Sequence, residues 1–305
     1  MAISTSIRRA QPWLGTFVEI AASGSCDFQD DLQEAVDAAF DAVAQVHRLM
    51  SFHDAESDVS RINREGNAGP VAVHPWTYKV LETALELNRR SDGCFDVAVA
   101  PLLQRRGLLP CDADMPGSGQ STALAGQAIE LLGDNRLRCR NASVKIDLGG
   151  IAKGFAVDRA VEVLRGRGVV RSLVNAGGDL AVFGPEPESV HIRNPKTAHE
   201  ILCAVEIVDA ALASSGRVFD PYRSAEAGAT AVFDPKTCGP VLAVAGATVR
   251  APSCMIADAL TKVVMIASEK AAPLLQDYGA SALLMLESGD VRITPDWQDA
   301  VRLAA

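Results

Sequence analysis

Apolar positions along the chain fall into two rhythms, and each predicts its own kind of element. Residues 12–21 read as a short strand ending in Thr16-Phe17-Val18-Glu19-Ile20. After it, Leu32, Val36, Phe40, Val43 and Met50 recur at three- to four-residue spacing, the stripe of an amphipathic helix. A second helix is predicted from about Thr77 to Arg89, opened by Pro75 and carrying Val80, Leu81, Ala84 and Leu85 on one side. The segment between Gly107 and Gly126 is rich in Pro, Gly and Ser and reads as a long loop. Beyond it AIELL (128–132), RLRCR (136–140) and SVKIDL (143–148) predict strands, the first two joined by Gly-Asp-Asn turn chemistry. A helix over about Ile151 to Gly166 leads to strands at 171–175, 179–183, 189–193, 201–208 and 240–249. Helices at 255–267 and near 269–278 precede a terminal hairpin over 282–293. Strand-rich runs mixed with helices, without regular β-α alternation, predict an α+β fold.

Composition narrows the function classes. The 305 residues are 48% hydrophobic and 22% charged, which suits a folded globular chain and excludes a disordered one. A net charge of −9 supplies no basic face, so neither nucleic acid nor an anionic membrane is an expected partner. A small anionic ligand held by a few local cations and backbone N–H groups stays open. The seven cysteines are odd in number, scattered and without a C-x-x-C pair, as expected of free thiols in a reducing compartment. With no signal-like apolar core in residues 1–25 and no apolar stretch near 20 residues, membrane insertion is not expected and the predicted location is cytoplasmic.

Five segments place Gly, Asp and small residues where a core would want bulk. In Asp147-Leu148-Gly149-Gly150-Ile151-Ala152-Lys153-Gly154, glycines join a predicted strand to a predicted helix. Such a turn lets backbone N–H groups approach a phosphate at a helix N-terminus. Lys153 sits against the helix dipole there, so an anion would be its natural partner; a tight turn with a solvated lysine explains the same residues. Asn175-Ala176-Gly177-Gly178-Asp179 suits a hairpin as well as a ligand approach. Asp258, Thr261 and Lys262, at i, i+3 and i+4, share one helix face, either as hard-cation ligands or as a plain ion pair. Ser91-Asp92-Gly93-Cys94-Phe95-Asp96-Val97 could line a pocket or merely end a helix. His53, in Met50-Ser51-Phe52-His53 ahead of Ser57–Asn63, carries no catalytic assignment by spacing.

Taken in order, eight stretches resemble the ApbE-type FAD:protein FMN transferases: PWLGTFVEI, RLMSFHDAESDVSRIN, SDGCFDVAVAPLL, KIDLGGIAKGFAVDRA, SLVNAGGDL, ALASSGR, FDPKTCGPV and APSCMIADALTKV. The resemblance spans residues 12 to about 268. It implies an α+β architecture related to the T-fold, one domain over 1–305 whose two lobes enclose FAD. It also implies an Mg²⁺-assisted transfer of FMN from FAD to a Thr hydroxyl of a target flavoprotein, with AMP released. An FAD pyrophosphatase and a flavin binder without transfer chemistry are the alternatives. By position, Leu14 matches a flavin-contacting Met and His53 an aromatic that stacks on the flavin. Phe95, Asp96, Val97, Asp147, Lys153 and Phe233 match cofactor-contacting positions. The Gly150 carbonyl, Asp258 and Thr261 match the metal site, with Asp258 also a candidate general base.

Two departures stand out. The family's D-A-L-x-T places a Thr ligand where this chain has Lys262, and its S-H-I-I-D-P a His where this chain has Ala231. An ammonium has no lone pair to offer a cation. Lys262 is therefore expected to weaken the metal site or to stand in for part of its charge, with Thr261 Oγ1 as a substitute oxygen.

Overall fold

The computed structural model describes residues 4–25, 29–111, 128–197, 199–216 and 232–303. Ala231 and most of the Gly107–Gly126 segment lie outside them. The α+β class holds. An antiparallel sheet of eight strands runs in the order β1-β2-β6-β7-β10-β13-β14-β15. Its members are β1 (Ser4–Trp13), β2 (Thr16–Ser25), β6 (Arg171–Ala176), β7 (Asp179–Phe183), β10 (Ala210–Gly216), β13 (Val244–Ala251), β14 (Ser281–Leu286) and β15 (Val291–Ile293). Three long helices cover one face: α1 (Gln29–Met50) against β1 and β2, α5 (Ala152–Gly166) against β6 and β7, and α6 (Cys254–Ala267) against β10 and β13. Part of the opposite face carries a second core, where Leu180, Val182, Leu212 and Leu283 meet Ile192, Val205 and Trp297. That core lies under a small sheet of β8 (Glu188–Arg193), β9 (Ile201–Ile207) and β16 (Val301–Leu303). β7 is therefore buried at all five positions, because both of its faces are covered.

Local sequence explains most of these elements. The stripe on α1 is buried at Leu32, Val36, Phe40, Val43 and Met50. The helix α3 (Pro75–Arg90) begins at a proline on its first turn, where a missing N–H costs nothing. Shorter helices α2 (Asp58–Glu65), α4 (Ala100–Arg105) and α7 (Ala272–Asp277) complete the described set. A small sheet of β3 (Val71–Ala72), β5 (Arg136–Cys139) and β4 (Ile129–Gly133) lies beside α2, and β11 (Phe233–Asp234) pairs with β12 (Gly239–Pro240).

Three expectations change. The strand read over 12–21 is cut at Leu14 and Gly15, whose φ angles of 57° and 73° make a hairpin turn between β1 and β2. SVKIDL joins no sheet. Asn63 receives the Ile146 N–H at 2.7 Å and donates to its carbonyl at 2.9 Å, and Asp147 N–H donates to the Val97 carbonyl at 2.8 Å. The strand read over 240–249 starts only at Val244, because Pro240 pairs with Phe233 in the separate two-stranded sheet. The Ser57–Asn63 stretch, given no element by the sequence, lies in a helix and its N-cap with structural polar groups, since Asp58 accepts from Thr77 Oγ1 at 2.7 Å and His74 N–H at 2.8 Å. No described helix is long and apolar enough to cross a membrane.

Candidate functional site

One end of the main sheet collects the turns that the sequence singles out. The Leu14-Gly15 turn lies beside the Gly177-Gly178 turn, since Val18 pairs with Ala176 across β2 and β6. A Cβ on Gly177 would stand 2.7 Å from Thr16 Oγ1, and its φ of 67° already favours glycine. Asp179 follows directly and is almost wholly buried at the start of β7. Lys153, on the first turn of α5, forms an ion pair with it. The partner of Lys153 is thus a protein carboxylate, which replaces the bound anion expected from the helix dipole. That pairing spans 26 residues, and the adjacent Gly-Gly is its local signal in the sequence.

Helices α5 and α6 meet unusually closely at their beginnings. A Cβ on Gly154 would lie 2.2 Å from the Cys254 carbonyl oxygen, so only glycine permits the approach. Each helix then lends a carboxylate to the other. Asp158 of α5 accepts from Cys254 N–H at 2.7 Å, Met255 N–H at 2.9 Å and Ser253 Oγ at 2.7 Å. Asp258 of α6, fully buried, accepts from Gly154 N–H at 3.1 Å. Its other oxygen accepts from Lys262 Nζ, which also donates to the Asp258 carbonyl at 3.0 Å. The Thr261 hydroxyl, equally buried, donates to that same carbonyl at 2.7 Å and contacts Ser215 Oγ at 2.8 Å.

The glycine turn closes the group. A Cβ on Gly150 would stand 3.4 Å from Lys262 Cε and 3.6 Å from Phe95 Cε2, so the lysine stem and the phenylalanine ring lie directly over the turn. Asp147 accepts from Gly149 N–H at 3.2 Å, and its carboxyl is close enough to His53 and Lys262 to sense their charge. Val97 carries the carbonyl that anchors Asp147, while Asp96 accepts from Ala98 N–H at 2.7 Å. Phe233 lies farther off under Arg106, 5.6 Å from guanidinium carbon to ring centroid. Its turn is tied to the Asp92–Phe95 stretch through the Lys236–Asp92 ion pair. Among the predicted residues, Phe95, Val97, Asp147, Gly150, Asp258, Thr261 and Lys262 thus form one neighbourhood with His53. Lys153 adjoins it, and Leu14 and Phe233 sit on flanking turns. Asp158 and Ser215 are the residues that sequence reasoning does not place there; Gly154 and Asp179 belong to the glycine-rich segments it singles out, without a role of their own.

Burial and charge oppose each other within the group. Burial pushes Asp147 above the ordinary carboxylate range, against the Gly149 N–H and the nearby His53 and Lys262. It also raises Asp179, as does the charge of Asp258, against the pull of Lys153. For Asp258 burial acts upward too, but Lys262 and Lys153 outweigh it and hold the carboxyl below its usual range. Lys153 is raised despite its own desolvation, because Asp179 and Asp258 favour its charge. The result is a chain of alternating sign, Asp179, Lys153, Asp258, Lys262.

At the start of α5 the backbone keeps unused donors. Ala152 N–H bonds the Leu148 carbonyl at 2.8 Å and Gly154 N–H is taken by Asp258. The N–H groups of Gly150 and Lys153 have no protein acceptor among the described residues. They can receive an anion at the positive end of the helix dipole. A divalent cation fits these residues poorly. Mg²⁺ asks for near-octahedral oxygen ligation, yet both Asp258 oxygens already accept from nitrogen and the Thr261 hydroxyl is sealed against backbone and Ser215. No cluster of three or more His, Cys, Asp or Glu suited to a metal occurs among the described residues.

A family model described as the ApbE family matches residues 14–284. The FAD:protein FMN transferase of Vibrio cholerae is 27% identical over 263 residues, covering 81% of this chain and 77% of its own. That of Salmonella typhimurium is 24% identical over 294 residues, covering 91% and 82%. Among solved structures, the ApbE protein of Thermotoga maritima superposes with a TM-score of 0.85 at 25% identity, over 97% of this chain and 99% of that one. The flavin transferase ApbE of Vibrio cholerae gives 0.81 at 23% identity over 98% and 100%, a likeness of fold. With one family model spanning nearly its whole length, the chain belongs to the ApbE family.

Proposed function

We propose that this chain is an FAD:protein FMN transferase. It binds FAD between the sheet end that carries Leu14 and Gly177 and the lobe that carries His53, Phe95 and Asp147. The acceptor is a Thr hydroxyl of a target flavoprotein. Its oxygen attacks the FMN phosphorus, the bond from that phosphorus to the bridging oxygen breaks, and AMP leaves with the bridging oxygen. The hydroxyl proton passes to a base.

The observation that carries this reading is the convergence at one turn of two unused backbone donors, Gly150 and Lys153, with the Lys262 ammonium and the Phe95 ring. Backbone N–H groups and an ammonium favour the charge that builds on phosphoryl oxygens during transfer. Asp258 serves as a positioning residue. Its oxygens are both engaged and its carboxyl is held acidic, which makes it a poor proton acceptor. Asp147, half-buried, pushed up by burial and next to exposed His53, is the better base. Free thiols at all six described cysteines support a reaction in a reducing compartment, with a cytosolic target.

Incubation of the pure protein with FAD, with and without a flavin-acceptor domain, tests the reading by chromatography of released AMP. AMP that appears only with the acceptor, together with a covalently flavinylated domain, is the expected result. AMP release without acceptor would make the chain a pyrophosphatase, and FAD binding without AMP in either case a flavin binder.

A further inference from the structure

The space between the Gly150 turn and the Asp258 carboxylate is occupied by one of this chain's own side chains. Lys262 rises from the third turn of α6, lays its stem across the Gly150 turn and puts Nζ on Asp258. We propose that the Lys262 ammonium takes the part of a divalent cation toward the FAD pyrophosphate, so that this chain binds FAD without metal. The inference rests on the FAD reading above.

Three features of the geometry support it. An ammonium has three N–H donors, and two of them point at Asp258, one at Oδ1 and one at its backbone carbonyl. The third has no partner among the described residues, and Lys262 is partly open to solvent, at 19% exposure against 0% for Asp258. The open donor therefore sits on the same turn as the free N–H groups of Gly150 and Lys153. Second, a cation could reach Asp258 only by expelling Lys262, and the expelled ammonium would stay close by and repel it. Third, the lysine stem packs against the Gly150 turn, where a Cβ would meet Cε at 3.4 Å, an ordinary van der Waals distance. Turn and lysine fit each other as built.

The test compares FAD binding, read by flavin fluorescence, in EDTA and in excess Mg²⁺, alongside Mn²⁺ binding read by electron paramagnetic resonance. For the unmodified chain the two FAD dissociation constants agree within about twofold and no tightly held Mn²⁺ is seen. Lys262→Thr, which restores an oxygen at i+4, loses about tenfold in FAD affinity in EDTA, recovers it with Mg²⁺ and acquires bound Mn²⁺. Lys262→Met loses FAD affinity to a similar degree with no metal rescue. FAD bound by the unmodified chain only when Mg²⁺ is present, or Mn²⁺ held by it, overturns the inference and leaves the transferase reading standing. No FAD binding under either condition overturns both. Because the unmodified chain decides, poor folding of either variant leaves the outcome intact.

Discussion

Helices α5 and α6 touch at their first turns and exchange carboxylates, yet their N-termini end in opposite conditions. At α6, Ser253 caps the helix through Ile256 N–H, and Asp158 takes both Cys254 and Met255 N–H groups. Nothing is left there for a ligand. At α5 the cap position is Ile151, which offers no side-chain acceptor, and Asp258 takes one N–H while spending its other oxygen on Lys262. One helix end is sealed by the chain itself and the other stays open beside a positive group. The lesson is that a helix N-terminus serves as an anion site through what its neighbours leave unpaired, since the dipole is the same in both.

That contrast can be broken at its root. Gly154→Ala places a methyl group inside the Cys254 carbonyl contact and forces the two helices apart. The expected loss is about 3 kcal/mol or more of stability, read by urea unfolding, with FAD binding lost alongside. An effect below about 1 kcal/mol would mean that the close approach is not needed. The contrast is sharpened by separating its halves. Asp158→Ala leaves two N–H groups of α6 and a serine hydroxyl without their acceptor, and is expected to cost about 2 kcal/mol while FAD affinity in the folded protein stays unchanged. Equal losses of stability and of FAD affinity would instead place the sealed end in the binding site.

The smallest effect concerns Asp147. Its carboxyl is raised by burial, so the folded state prefers the protonated form and ionisation at neutral pH weakens it. Asp147→Asn removes that penalty and is expected to raise Tm by about 1–2 °C near pH 8. The gain fades as pH falls through the raised pKa toward the ordinary carboxylate range, where both proteins hold a neutral group. Transfer activity should fall in the same variant, since the proposed base is gone. A Tm that drops at every pH would show that the charge is needed for folding.

Residues with local meaning were readable in advance. The spacing of Leu32, Val36, Phe40 and Val43 gives α1, Pro75 gives the start of α3, and the double glycine at 149–150 marks a turn that opens α5. Asp258, Thr261 and Lys262 could be put on one face from their spacing alone. The strand expected over SVKIDL failed because periodicity reports which side chains want burial and cannot supply a hydrogen-bonding neighbour. Here Asn63 and Val97 take the ladder's place. The hairpin at Leu14-Gly15 was missed because one of its two left-handed residues is a leucine, which carries no turn signal.

The sequence by itself determined the α+β class, the principal helices, the family and the identity of the groups that could bear charge near the glycine turn. Only the tertiary structure decided how those charges pair: Lys153 with Asp179, Lys262 with Asp258, Asp158 with the neighbouring helix start. Helix propensity and hydrophobic spacing act within a few residues and survive in any context that buries the right face. The pairing of buried charges depends on which segments a helix crossing brings within hydrogen-bond reach, and at Gly154 that crossing is set by the absence of a single methyl group.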